Sequence, residues 1–238
     1  MKILALETSA KAVSAAVTED GRVLASGYQD TGLTHSRTLM PIVEHIMKNA
    51  EITMAEISAV AVAVGPGSFT GIRIGVSAAK GLAFAASIPT VGVSTLAAMA
   101  RNAAFADGLV VCAMDARRNQ IYNALFEAKN GALTRLTPDR AIGLDELSEE
   151  LRGDSRPKIV VGDGGRLCAE ALAAADVACR LAPPHLVMQH AVSVALEAEE
   201  AARKGGLVSA QELLPVYLRP PQAERLRKER ESSEKSGQ

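Results

Sequence analysis

Ala59-Val60-Ala61-Val62-Ala63-Val64-Gly65-Pro66-Gly67-Ser68-Phe69-Thr70-Gly71-Ile72-Arg73-Ile74-Gly75 is the stretch on which the reading of this chain turns. A β-branched apolar run of this kind is a strand signal, and Gly-Pro-Gly ends it. A helix then opens at Ser68 or Thr70, both good N-caps. The free N–H groups at such a helix start favour an anion. Gly65, Gly67 and Gly71 leave two readings open. Either they make a tight turn and let the helix lie close to the sheet, or Gly67, Ser68 and Thr70 touch a phosphate or nucleotide. A dinucleotide fold would add an acid about twenty residues later for the ribose. No Asp or Glu stands between Glu56 and Asp107, so that reading fails. No Gly-Lys-Ser/Thr follows the loop, so it is not a Walker loop either.

The 238 residues suffice for one large domain or two smaller halves with a proper core. The chain is 48% hydrophobic but only 3% aromatic, with no Trp. Its core must therefore come from Ala, Val and Leu, which favours close helix packing. No apolar run is long enough to span a bilayer, and Met1–Glu7 reaches an acid too soon for a signal peptide. A cytoplasmic protein without membrane contact is the expectation. The net charge of −1 makes the whole chain a poor electrostatic footprint for nucleic acid. Cys112, Cys168 and Cys179 form no Cys-x-x-Cys pair, so they read as buried thiols rather than a disulfide or zinc framework.

Outward from the central stretch, the pattern is strand, turn and strand at both ends. Lys2–Glu7, Ala12–Thr18 and Val23–Tyr28 read as strands, the last two joined by Asp20-Gly21, a strong hairpin signal. A helix over Ser36–Asn49 follows, capped by Thr34 or Ser36, then the strand Ala59–Val64 and a helix over Gly71–Ala86. The strand Thr90–Val93 and a helix from Ser94 to about Phe105 come next. Val110–Asp115 and Gln120–Glu127 then repeat the opening, with Glu7 falling on Asp115 and Val13 on Ile121, 108 residues later. A third strand over Ala132–Asp139, a helix at Leu144–Leu151, a strand at Lys158–Val161, a helix after Gly162-Asp163-Gly164-Gly165 and a long helix over His190–Lys204 complete the pattern. It predicts an α/β fold with the duplicated ribonuclease-H-like, two-lobe architecture of the actin, sugar-kinase and Hsp70 superfamily. Residues 1–107 form the first lobe. Residues 108–220 form a smaller second lobe whose C-terminal helix returns toward the first. Residues 221–238 carry five cations and four anions from Glu224 onward and read as a disordered charged tail.

The search for chemistry finds no complete active site. Glu7 and Asp115 end strands, where phosphotransferases of this superfamily place carboxylates, but Thr8-Ser9-Ala10-Lys11 is not a Gly-rich phosphate loop. His35, His45, His185 and His190 form neither His-x-x-x-His nor His-Glu-x-x-His, so no zinc hydrolase is indicated. No Gly-x-Ser-x-Gly elbow supplies a nucleophile. The two helices of the first lobe carry more. Leu39, Met40, Val43, Ile46 and Met47 form an apolar stripe around Pro41. Gly71, Gly75, Ala79 and Ala83 form a row of small residues, with Ile72 and Val76 as further apolar surface. These faces either cover their own sheet or form a subunit interface.

Several blocks resemble the TsaB family of bacterial threonylcarbamoyladenosine-biosynthesis proteins. They are Ile3-Leu4-Ala5-Leu6-Glu7-Thr8-Ser9, His35-Ser36-Arg37-Thr38-Leu39-Met40-Pro41, Gly65 to Gly75, Met114-Asp115-Ala116-Arg117-Arg118 with Tyr122, and Pro215-Val216-Tyr217-Leu218-Arg219. The resemblance implies a non-catalytic partner of the paralogue TsaD. The metal-binding His-x-x-x-His of TsaD falls here on Thr95 and Met99, neither a plausible ligand for that metal. It further implies that the chain binds and activates TsaD through the first-lobe helices, at Leu39, Met40, Val43, Ile46, Met47, Ile72, Gly75, Val76, Ala79 and Ala83. The ATPase TsaE would join the pair. Alone, the chain would form a homodimer. tRNA would be reached through the complex, no cofactor would be held, and ATP or ADP contact at Gly67, Ser68 and Thr70 would be weak. A small-molecule kinase or a metalloprotease-like hydrolase of the same superfamily is the alternative.

Overall fold

The computed structural model describes residues 1–219, so the charged tail expected from residue 221 lies outside the described residues. β1 (Lys2–Glu7), β2 (Val13–Glu19) and β3 (Arg22–Gln29) form an antiparallel meander. Asp20 and Gly21 turn β2 into β3 at φ of 48° and 79°, the left-handed pair that an Asp-Gly turn supplies. α1 (His35–Asn49), β4 (Ala59–Gly65), α2 (Phe69–Ala86), β5 (Thr90–Ser94) and α3 (Thr95–Ala100) follow. β4 lies parallel to both β1 and β5, and the sheet order is β3-β2-β1-β4-β5.

The second sheet repeats this plan. β6 (Gly108–Asp115), β7 (Gln120–Lys129) and β8 (Ala132–Arg135) form its meander. β9 (Arg140–Gly143) also pairs with β7, and α4 (Leu144–Arg152) follows. β10 (Lys158–Val161), α5 (Gly165–Ala174) and β11 (Arg180–Leu181) supply the parallel side. Read from β8, the order β8-β7-β6-β10-β11 matches the first sheet strand for strand. The fold is thus a duplicated ribonuclease-H-like α/β architecture. The 108-residue repeat holds on β1 and β6 and slips by one past the turn: Glu7 faces Ser14, whereas Asp115 faces Ile121. After α6 (Pro184–Val187), α7 (Ala191–Arg203) packs back on the first sheet.

β4 shows how the sequence sets the layers. Val60, Val62 and Val64 face α1 and α2, while Ala59, Ala61 and Ala63 face α7. Strand side chains alternate in this way, so alternating Val and Ala makes one face bulky and one thin. On the thin face Ala191, Ala195 and Ala198 of α7 meet Ala5, Ala16 and the β4 alanines. α3 sits between the sheets: Ala98 packs toward the first, while Leu96 and Met99 pack toward the second.

Several expectations need correction. The strand expected over Ala132–Asp139 breaks into β8 and β9, with Thr137 turning inward to accept from Leu125 N at 2.9 Å through its hydroxyl. The helix expected from Ser94 to Phe105 is shorter: α3 tightens at Arg101 into a 3₁₀ turn. α2 starts at Phe69 because Ser68, not Thr70, is the cap, its hydroxyl accepting from Gly71 N at 3.2 Å. Thr34 precedes α1 without a side-chain cap bond. The largest correction concerns the helical stripes. Leu39, Val43, Ile46, Met47, Ile72, Gly75, Val76, Ala79 and Ala83 are all buried in this chain's own core against the Val face of the sheet. Of the ten residues expected at an interface, only Met40 is open, with 42% of its surface exposed.

Val43→Glu is therefore expected to unfold the chain rather than to cut a surface contact. A buried carboxylate without a partner costs about 3 kcal/mol or more. Urea titration checks this, and a midpoint within error of wild type would contradict the burial.

Candidate functional site

The N-terminus of α2 is pressed against the β1–β2 turn. A Cβ on Gly67 would meet Ser9 O at 2.4 Å, one on Gly71 would meet Thr8 O at 2.0 Å, and one on Gly75 would meet Thr8 Oγ1 at 2.3 Å. Ser68 N donates to Ser9 O at 2.7 Å, and Thr8 Oγ1 donates to Gly71 O at 2.8 Å. The glycines thus form a close-packing seam, and two polar groups that could have met a phosphate are spent inside it: the Ser68 N–H and the Ser68 hydroxyl.

Above this seam, a cleft of about 780 Å³ opens between the two sheets. Gly67 and Ser68 line it, whereas Thr70 is exposed outside it. Asp30 from the first half and Asp115 and Asp163 from the second line it, and Glu7 lies buried nearby. Glu7, at the end of β1, is fully buried and accepts from Ser9 N at 2.5 Å through Oε1. Its Oε2 has no hydrogen-bond partner among the described residues. Burial pushes the Glu7 carboxyl up to about 7, helped by the negative charge of Asp163. Asp163, in the turn before α5, accepts from Gln189 Nε2 at 2.8 Å and is itself raised by burial. Asp115, at the end of β6, accepts from Arg117 N at 2.7 Å and pairs with the Arg117 guanidinium at 3.2 Å.

A strap that the sequence did not reveal closes one side of the cleft. Val216 N donates to Val64 O at 2.8 Å, and Arg73 Nε donates to the Tyr217 hydroxyl at 3.0 Å. Lys80 Nζ donates to Gln211 O and Leu213 O, both at 3.1 Å. Arg219 then crosses to the second sheet, donating to Ala116 O at 3.0 Å and to Gln120 Oε1. The one local trace of this path is Gly65, at φ 131°, where a Cβ would meet Val216 O at 2.2 Å.

The arrangement assembles little covalent chemistry. Among the described residues no His ring bonds a Ser, Thr or Cys side chain: His35 Nε2 meets Ala10 O at 2.9 Å, His45 meets Asn49, and His190 caps α7. Burial pushes the Cys112 thiol up, and the Cys168 thiol to about 12, so neither is a thiolate at neutral pH. Thr95 and Met99 are buried within α3. No group of three or more His, Cys, Asp or Glu among the described residues is placed to hold a metal ion. No described helix is long and apolar enough to cross a membrane.

The outward side of α1 and α2 is the other candidate. Met40, Glu44 and Lys48 are exposed on α1, and Arg73, Ser77 and Gly81 on α2. Phe84 shows 71% of its surface, and a Cβ on Gly81 would meet nothing within 4 Å.

The sequence model of the TsaD family, described as tRNA N6-adenosine threonylcarbamoyltransferase, matches residues 29–224. The duplicated fold and this match define a TsaD-type protein. The relatives narrow it. The chain is 31% identical to the tRNA threonylcarbamoyladenosine biosynthesis protein TsaB of Escherichia coli over 222 residues, 92% of this chain and 95% of that one. It is 37% identical to TsaB of Bacillus subtilis over 162 residues, 68% of this chain and 71% of that one. The solved structure of YeaZ from Pseudomonas aeruginosa superposes with a TM-score of 0.79 at 29% identity, covering 91% of this chain and 99% of that one. The chain belongs to the TsaB family and has a role in tRNA threonylcarbamoyladenosine biosynthesis.

The state of Glu7 predicts a pH dependence. Its folded value lies above the ordinary 4.5, so the folded chain holds this proton more tightly than the unfolded one. Stability is then full below about pH 4.5, falls as pH rises toward 7, and is level above. The loss is on the order of 3 kcal/mol. Asp163 contributes with the same sign. Glu56 and Glu200, held down to about 2, change the balance only at lower pH. Urea titrations at pH 5 and 8 should show wild type losing stability and Glu7→Gln losing less. Equal losses in both would show that Glu7 is already ionised in the fold.

Proposed function

We propose that this chain is a non-catalytic subunit of the threonylcarbamoyl transfer machinery, which docks on the TsaD paralogue through the outward faces of α1 and α2. The observation that carries this reading is the surface around Gly81. Phe84 stands exposed one turn beyond Gly81, which has open space above it, and Met40 is exposed on α1; the other faces of both helices are already committed to their own sheet. A surface helix that exposes Phe beside Gly allows a second helix to approach closely and to bury apolar area. Burial is worth about 25 cal/mol per Å², less the cost of association. The expected interface therefore stays on the same two helices and moves to their other side. The stripe from Leu39 to Met47 and the row from Ile72 to Ala83 position this face from beneath.

The cleft supports the same assignment. Glu7 and Asp163 are buried carboxylates held up by desolvation, the Asp115 carboxylate is engaged by Arg117, and the loop groups that could face a phosphate are spent on the seam. The cleft lining sets Lys11, Arg117 and Arg219 against Asp30, Asp115 and Asp163, so it offers no excess of positive charge to a polyphosphate. Neither kinase nor hydrolase chemistry is favoured by that arrangement, and ATP or ADP contact at Gly67 and Ser68 is weak. In the cell this subunit acts in the cytoplasm, pairs with itself when TsaD is absent, admits the TsaE ATPase to the complex and reaches tRNA through it.

Size-exclusion light scattering with and without TsaD tests the reading. Wild type should form a heterodimer. Gly81→Gln, which adds bulk without charge at a position open to solvent, should fold normally and weaken the complex about tenfold or more. A heterodimer of unchanged affinity in Gly81→Gln would place the interface elsewhere. Micromolar ATP binding that is lost in Glu7→Ala would favour the kinase reading instead.

A further inference from the structure

The acid-free stretch between Glu56 and Asp107 has a consequence on the surface. All of α2 lies within it, so the outer side of this helix carries cations and no carboxylate. Those cations are Arg73 and Lys80. Arg73 is exposed and gives only its Nε–H to the Tyr217 hydroxyl, and half-buried Lys80 donates to the Gln211 and Leu213 carbonyls, so both meet neutral acceptors and keep their charge unpaired. On α1 the exposed charges are Arg37, Glu44 and Lys48. The two helices thus present four cations against the single carboxylate of Glu44. None of the four cations has a carboxylate within ion-pair distance among the described residues.

Two other surface helices differ. On α4, Arg152 pairs with Glu149 at 2.6 Å, and at α7 Arg203 pairs with Glu199 and Lys204 with Glu200 at 2.7 Å. Arg140 reaches Glu150 at 2.6 Å, and Arg135 reaches Asp139 at 2.6 Å. α4 and α7 thus neutralise cations within the helix, while Arg37, Lys48, Arg73 and Lys80 pair with no carboxylate among the described residues, Glu44 being the one exposed acid of α1 and α2.

We propose that the outer face of α1 and α2 is built for a partner presenting carboxylates opposite Arg37, Lys48, Arg73 and Lys80, and that it pairs less well with a second copy of itself. The inference rests on the partner-face reading and adds the chemistry of the partner. Symmetry supplies the reason. A two-fold dimer through this face sets the same patch against itself, so an excess of three positive charges meets the same excess. Like charges across an interface are costly, and opposite charges raise the association rate. Met40 and Phe84 offer apolar burial to either occupant, so the charges decide between them.

Salt separates the two occupants because exposed charges are screened within a Debye length, which shrinks as ionic strength rises. The experiment measures the affinity for the TsaD paralogue by calorimetry, and self-association by analytical ultracentrifugation, at about 50 and about 500 mM NaCl. The expected result is a Kd for TsaD that rises about tenfold or more with salt, while self-association tightens. Arg37→Glu with Lys48→Glu, at positions whose side chains carry no tertiary hydrogen bond among the described residues, should weaken the TsaD complex at low salt, strengthen self-association and leave the melting temperature unchanged. A heterodimer whose Kd ignores salt, or tightens with it, overturns the proposal while leaving the partner face in place. No heterodimer at either salt overturns the partner face itself.

Discussion

The contact between the α2 N-terminus and the β1–β2 turn fixes the rest of this structure. Three glycines spaced four residues apart, Gly67, Gly71 and Gly75, bring the helix backbone onto Ser9 O, Thr8 O and Thr8 Oγ1, where a Cβ would stand only 2.0 to 2.4 Å away. No real Cβ tolerates such an approach, so the helix can lie this low only without side chains. Once seated, α2 presents Ile72, Val76, Ala79 and Ala83 to the Val face of β4, and α1 packs beside it. The opposite side of both helices is left to solvent.

The same seam shapes the cleft. In a phosphate-binding loop the backbone N–H groups at the helix start point outward to the ligand. Here Ser68 N is turned onto Ser9 O, and the Ser68 hydroxyl caps Gly71 N. Glu7 lies beneath, buried and raised to about 7, facing the charge of Asp163 from the second half. Arg219 ties the strap across to Ala116 and Gln120. The polar groups at the α2 N-terminus are thus spent on seating the helix rather than on a ligand. Fold alone does not settle function.

Local features were legible in the sequence. The alternation of Val and Ala, the Gly-Pro-Gly stop and the Asp20-Gly21 turn each specify backbone through nearest neighbours, and the repeat of Glu7 in Asp115 exposed the duplication. What escaped was non-local. β9 and β11 are short strands held by pairing to β7 and β10, and the strap from Gln211 to Arg219 is placed by contacts with residues more than a hundred positions away. Apolar periodicity in α1 and α2 identified a buried face but could not say what buries it. The stripe through Leu39, Val43 and Ile46 belongs to the chain's own core, and the side left to solvent carries Ser77, Gly81 and isolated Met40 and Phe84, a pattern without a strong hydropathic signature. The absence of acids from 57 to 106 was visible at once, yet it gained a surface meaning only when α2 was placed with Arg73 exposed and Lys80 at the edge of the strap.

The central claim is that this chain serves tRNA modification through its outer helical face and not through chemistry in its cleft. The most direct measurement is the threonylcarbamoyladenosine content of tRNA, by mass spectrometry of nucleosides, in cells depleted of the chain and supplied with wild type, Glu7→Gln or Gly81→Gln at equal protein levels. The account predicts that Glu7→Gln restores the modified nucleoside as wild type does and that Gly81→Gln does not. Full restoration by Gly81→Gln, together with failure of Glu7→Gln, would contradict it and return the activity to the cleft.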